Sequence, residues 1–213
     1  AEFAEKYSYT ALRFYMLSIA RKLLPNERVR ICWRYPLPDR NEIELIYSEE
    51  RERARAMGTM KCASCWVCPV CSQYIVERRR KELGQAIFWS REKYVPVMVT
   101  YTASHHAGMK LDELMSSMQK AYRRMKTGRQ WQEIKSEFSL VGTVRSIEIT
   151  YGKNGWHPHY HELTFVDIEH IQKFFDGHVG EYVEGLQATL SPRWVASLSK
   201  QGLTAAVNIG LTI

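Results

Sequence analysis

The chain has 213 residues, 45% hydrophobic and 25% charged, the balance of a globular protein with room for one large domain or two small ones. No apolar stretch approaches the roughly 20 residues of a bilayer span, and the amino terminus, Ala1-Glu2-Phe3, lacks the charged-then-apolar order of a signal peptide. These features lead to the expectation of a soluble, cytoplasmic protein with no membrane helix and no signal peptide. Thirty Lys and Arg against 23 Asp and Glu leave a formal charge of +7, which favours polyanionic partners.

Residues 7–24 place Tyr9, Leu12, Tyr15, Met16, Ile19 and Leu23 at helical spacing ahead of Pro25, which predicts an amphipathic helix. Residues 27–47, interrupted by Pro36 and Pro38, read as a loop-rich segment with one or two strands. A charged run, 49–55, leads to a cysteine cluster at 62–71, and 74–94 reads as a long basic helix. Residues 95–103, VPVMVTYTA, predict a strand that tolerates Pro96 near its start. A helix is expected over 111–138, with Leu114, Met118, Ala121, Tyr122 and Met125 on one face and a break or kink at Gly128. Two strands follow, 141–151 and 156–165, separated by Gly152-Lys153-Asn154-Gly155, a hairpin signal. Helices over 168–175, 181–190 and 192–199 and a last strand over 205–213 complete the chain. The outline is a mixed α+β protein, with an amino-terminal helical, cysteine-bearing region over 1–92 and a second domain over 93–213.

The stretch Gly155-Trp156-His157-Pro158-His159-Tyr160-His161 carries the most chemistry. Residues two apart on a strand face the same way, so His159 and His161 can present imidazoles to one ion. If 152–155 closes the hairpin with Tyr151 opposite Trp156, Glu148 lies across from His159, with Cβ atoms about 5 Å apart. Two nitrogens and one oxygen with open positions suit Mn²⁺, Mg²⁺ or another divalent ion that must also hold a substrate oxygen. His157 shares the face as a spare ligand, a phosphate contact or a structural residue.

Cys62, Cys65, Cys68 and Cys71 form C-x2-C-x2-C-x2-C, with Cys32 upstream, a pattern for a structural Zn²⁺ rather than a disulfide framework. Cys68 and Cys71 are taken as the close pair, with Cys62 and Cys32 completing the set. Cys65 is left free and stands as the alternative to Cys32. Arg78, Arg79 and Arg80 beside the cluster carry guanidinium groups that pair well with phosphate, and Trp156 and Trp66 carry rings that can stack.

Four stretches, KCASCWVCPVC (61–71) followed by ERRRKEL (77–83), VMVTYTASHHAGMKL (97–111), VRSIEITYGKNG (144–155) and GWHPHYHELTF (155–165), resemble the rolling-circle replication initiator (Rep) family of plasmids and phages, within the HUH endonuclease superfamily. The resemblance implies a central antiparallel sheet of about five strands flanked by helices, with the histidine strand central and a zinc-binding element added. It implies that His159, His161 and Glu148 hold the divalent ion, and that the run around Thr100 and Thr102 is a central strand beside the active site. In that family cysteines matching Cys62, Cys68 and Cys71 occur in a zinc-finger-like element, where the position of Cys65 is more often apolar. The implied activity is nicking and rejoining of single-stranded or origin DNA, with host helicase and polymerase as further partners and no membrane. Such enzymes attack DNA with a tyrosine on a helix after the last strand. The expected nucleophile therefore lies beyond Ile213, with Tyr182 as the alternative within the chain. Two other readings compete: a zinc-containing protein that binds origin DNA without catalysis, and a metal-dependent hydrolase of small molecules.

Overall fold

A computed structural model describes residues 8–50 and 52–211. The chain divides into two compact units, residues 1–86 and 87–213. Among the described residues no helix is long and apolar enough to cross a membrane.

In the first unit, helix α1 (Tyr9–Leu23) is capped by Ser8, whose hydroxyl accepts the Ala11 N–H at 3.3 Å. A single 3₁₀ turn over Arg28–Ile31 follows. Strands β1 (Glu44–Ser48) and β2 (Arg53–Met57) pair antiparallel, so part of the charged run is a strand rather than a connection. Arg and Ala alternate along β2, and that period-two signal lacks the β-branched residues that usually announce a strand. Helix α2 (Pro69–Ser90) starts five residues earlier than the periodicity suggested. Proline is favoured at the first helical position, where its missing N–H costs nothing.

The second unit is built on a four-stranded antiparallel sheet in the order β4-β5-β3-β6. Its strands are β3 (Tyr94–Ala103), β4 (Leu140–Gly152), β5 (Gly155–Asp167) and β6 (Ala205–Leu211). The expectation of about five strands is thus corrected to four. The residue pattern itself holds four strand-like runs in this unit, and the remaining strands, β1 and β2, pair with each other in the first unit. The histidine strand β5 is interior, between β4 and β3.

Helices α3 (Leu111–Met125), α4 (Arg129–Glu137), α5 (Ile168–Phe175) and α6 (Val179–Ser199) supply the rest of the core. Gly128, at φ +81°, ends the α3 run and starts α4, a turn that only glycine adopts easily. Leu114, Met118, Ala121 and Met125 of α3 pack with Trp131 and Ile134 of α4 and with Leu186, Leu190, Trp194 and Leu198 of α6. They cover the alternate residues Val97, Val99, Tyr101 and Ala103 of β3 and Tyr160 of β5. The sequence suggested two helices meeting at Pro192, but α6 runs through it. Pro192 removes one backbone donor, while the buried residues on either side keep both halves against the sheet.

Candidate metal centres

Strands β4 and β5 pair from Gly152↔Gly155 through Tyr151↔Trp156 to Glu148↔His159, the register implied by the glycine-flanked turn. On the other side β3 sets Thr100 across from His161 and Thr102 across from His159. Because alternate residues share a face, Thr100, Thr102, Glu148, His157, His159 and His161 lie on the side of the sheet opposite the helical core.

Their side chains fall into two groups. His161 is held at both ring nitrogens, with Nδ1 3.1 Å from Thr100 Oγ1 and Nε2 3.0 Å from Glu148 Oε2. His159 leans instead on His157, with ring centroids 3.9 Å apart, and its ring stands 5.7 Å from that of His161. His157 in turn stacks on His105 at 4.3 Å. Glu148 therefore bonds the diagonal histidine rather than the one directly opposite.

Burial lowers His157, with His159 and His105 adding to it, and burial lowers His159 against the pull of Glu148. The Glu148 carboxyl is held below its usual range by the His161 hydrogen bond first and by the nearby imidazoles after it. At His159 and Glu148 these directions favour the forms a divalent ion requires of its ligands, neutral imidazole and ionised carboxylate.

His105 was singled out by no periodicity or spacing. It reaches the row because the loop after β3 lies against the hairpin turn. A Cβ on Gly155, at φ +87°, would meet Ala107 Cα at 2.9 Å and His106 O at 3.2 Å. Gly155→Ala is expected to lower stability by about 1–3 kcal/mol through strain and clash, measured by urea unfolding.

Behind the histidines, on the core side, Glu162 is 1% exposed. It accepts from the Tyr122 hydroxyl, from Lys126 Nζ at 2.5 Å and from Thr164 Oγ1 at 3.2 Å. Lys126 also lies 4.1 Å over the Trp131 ring, and Arg145, paired across the strands with Glu162, lies 4.3 Å over Tyr122. The alternation of β5 places this charge between two buried residues of the same face, Tyr160 and Thr164, and its need for partners ties α3 to the strand of the histidines.

In the first unit, backbone bonds from Trp33 N to Met60 O, Met60 N to Tyr35 O and Leu37 N to Gly58 O zip residues 33–37 onto 58–60, which brings Cys32 beside Cys62. Cys68 precedes Pro69 of α2, and its Sγ accepts the Cys71 N–H at 3.3 Å, as a cap would. Cys32, Cys62, Cys68 and Cys71 are buried, with sulfurs all within 4.8 Å of one another, while Cys65 stays outside, partly exposed.

The separations, 3.4 Å for Cys32–Cys71, 3.7 Å for Cys32–Cys68 and 3.8 Å for Cys62–Cys71, are far too long for disulfides. They agree with the edge of about 3.8 Å that a tetrahedron of Zn–S bonds near 2.3 Å would have. Burial pushes the Cys32 thiol up and the Cys68 thiol to about 11. At Cys71 burial is outweighed by hydrogen bonds from Cys32, the Ala63 backbone, Cys68 and Cys62, which hold it below its usual value. Among the described residues, this is the group of potential ligands already drawn together. It could hold a metal ion.

A family model described as replication protein matches residues 54–189, more than half of the chain. The chain belongs to this family of plasmid rolling-circle Rep proteins. It is 32% identical over 139 residues to a neomycin resistance protein of Streptomyces cyanogenus, an alignment covering 53% of this chain and 32% of that protein. With a protein rep of Streptomyces lividans the identity is 31% over 138 residues, covering 52% and 30%. With a protein rep of Lentilactobacillus hilgardii it is 29% over 129 residues, covering 59% and 39%. The matched stretch thus spans about a third of the length of these relatives. No solved structure matches.

The remaining candidates of this Rep-family chain are placed as follows. Tyr182 is 0% exposed and donates to Phe138 O at 2.8 Å, and burial pushes its hydroxyl well above the usual range. The hydroxyl is thus turned into the core, away from solvent. Tyr182→Phe is expected to cost about 1–2 kcal/mol in thermal unfolding, the value of a buried hydrogen bond, with no effect on any DNA reaction.

Arg78 and Arg80 are exposed on α2 but paired with Glu82 at 2.8 Å and Glu77 at 2.9 Å. Such surface pairs are weak, screened by solvent, and yield readily to a phosphate. Arg79 is in no ion pair among the described residues. Trp66 is 66% exposed and Trp156 38%, the latter edge-on to Tyr151 at 4.8 Å.

Proposed function

We propose that this chain carries the cation-binding core of a rolling-circle initiator that nicks and rejoins single-stranded DNA at an origin, with residues 1–92 as the zinc-bearing part and 93–213 as the nuclease core. The observation that carries the reading is the register placing Glu148 opposite His159 with His161 bonded to Glu148 on the same sheet face. Glu148, His159 and His161 are the proposed ligands of a divalent ion, Mn²⁺ or Mg²⁺. When bound, such an ion would polarise the scissile phosphate and stabilise charge on its oxygens.

In this reading Thr100 holds His161 by Nδ1 and so aims Nε2 at the site, the part an outer-shell partner plays for a ligating histidine. Glu148 and His161, now bonded to each other, would both serve as ligands of the ion in place of that hydrogen bond. The attacking group is a tyrosine hydroxyl. It forms a P–O bond while the P–O3′ bond of DNA breaks, leaving a 5′-phosphotyrosine and a free 3′-OH, and rejoining runs the same steps backward without a nucleotide cofactor. Tyr182 is not that tyrosine, and none of the described tyrosines is assigned the role. The four buried cysteines hold a structural Zn²⁺. Arg78, Arg79 and Arg80 contact the DNA backbone, and Trp156 stacks on an unpaired base. The free 3′-OH serves as primer for a host polymerase, with a host helicase as a further proposed partner.

A second reading, an origin-DNA-binding protein without catalysis, is favoured by the burial of Tyr182. The two separate when a labelled single-stranded origin is incubated with Mn²⁺ and the full-length protein. The nicking reading expects a covalent protein–DNA adduct that is lost with chelator or in Glu148→Ala and kept in Tyr182→Phe. Cation-independent binding without adduct would favour the second reading.

A further inference from the structure

Four imidazoles stand in a row, and the proposed ion uses two of them. His105 and His157, stacked at 4.3 Å with 27° between their planes, form the far end. His157 comes from β5 and His105 from the loop after β3, so two separate segments converge there. The loop is fixed from several sides: Ser104 N donates to Thr204 O at 2.8 Å, Met109 N to His106 O at 3.0 Å and Gly108 N to His106 Nδ1 at 3.2 Å, and Gly155 admits it against the hairpin.

We propose that His105 and His157 form a second cation-binding position, beside that of Glu148, His159 and His161 and distinct from the cysteine cluster. His105 Nδ1 lies 3.4 Å from Ala103 O, so its N–H is directed to a backbone carbonyl and the lone pair is left on Nε2. That is the arrangement by which a ligating histidine is usually held. Rings this close need only small side-chain rotations to bring two nitrogens to the roughly 3 Å separation of neighbouring ligands on one ion with metal–nitrogen bonds near 2.1 Å. Both residues are only partly buried, which leaves the remaining coordination positions to water or to phosphate oxygens of DNA. No carboxylate belongs to the pair. A nitrogen-only pair suits Co²⁺, Ni²⁺ or Zn²⁺ and discriminates against Mg²⁺, which demands oxygen ligands.

The position is independent of the trio in its ligands, and Co²⁺ titration of the chain loaded with a single equivalent of zinc, for the cysteines, separates the two. Absence of thiolate-to-cobalt charge-transfer absorption shows that the cysteines have kept zinc. The unmodified chain is expected to take up two equivalents of Co²⁺ by calorimetry, and His105→Ala and His157→Ala one each. Mg²⁺ is expected at no more than one equivalent. In the unmodified protein the imidazole proton resonances of His105 and His157 should broaden as the second equivalent binds, a readout that needs no variant. Uptake by His105→Ala and His157→Ala equal to that of the unmodified chain would overturn the proposal. Glu148→Ala should remove the other equivalent. If it does not, while His105→Ala still lowers the count, the trio fails and the second position stands.

Discussion

Replacing Cys32 with Ser is expected to abolish the fold of the first unit, with hydrogen-exchange protection lost along α1 and retained along β5. The buried core of that unit is Leu17, Val29, Val70 and the four cysteines. Three aliphatic side chains, each worth about 1.5–3 kcal/mol on burial, cannot offset the ordering of a segment this long. A structural zinc contributes on the order of 10 kcal/mol or more to such folding. Without a cation the sulfurs are buried polar groups that only one another and nearby N–H groups can satisfy. Zinc content, measured by atomic absorption, should fall from one per chain to none in Cys32→Ser and stay at one in Cys65→Ser. Prolonged chelation should reproduce the Cys32→Ser exchange pattern. Undiminished protection in α1 after zinc loss would contradict this assignment.

The second large effect lies beneath the histidines. Glu162→Leu is expected to cost about 3–5 kcal/mol, because it strands the Lys126 ammonium where its side chain is only 12% exposed. Burial already lowers Lys126, and the attraction of Glu162 opposes that. The double change Glu162→Leu with Lys126→Met should recover most of the loss, since replacing both charges removes their shared desolvation cost. Urea midpoints of the three variants test it. A double variant as unstable as Glu162→Leu would show that hydrogen bonds from Tyr122 and Thr164 matter more than the ion pair.

The hairpin was legible in the sequence because a glycine-bounded turn fixes its register arithmetically, and the period-two histidines then follow their partners. The choice of Cys32 over Cys65 was legible for a related reason: four thiols evenly spaced along one short stretch do not easily converge on one point, so a ligand from elsewhere is needed. What could not be read depends on contacts between distant segments. His105 belongs to the row only because Gly155 lets a loop approach the turn. Glu162 is a charged residue within an apolar strand, and its partners Tyr122 and Lys126 are supplied by α3 and the residue that follows it. Pro192 looked like a helix boundary because local propensity carries no information about Leu186, Leu190, Trp194 and Leu198, which pack the helix on both sides of it.

The central claim concerns Glu148, His159 and His161, which the fold sets on one face while His161 and Glu148 bond each other and His159 leans on His157. Anomalous diffraction from a crystal soaked in Mn²⁺ tests it most directly, with the zinc signal proposed for the cysteines as an internal standard. The account predicts a manganese peak about 2.0–2.3 Å from one oxygen of Glu148 and one nitrogen each of His159 and His161, with the hydrogen bond between His161 and Glu148 broken. A clear zinc peak with no manganese at the trio, and that hydrogen bond intact, would contradict it.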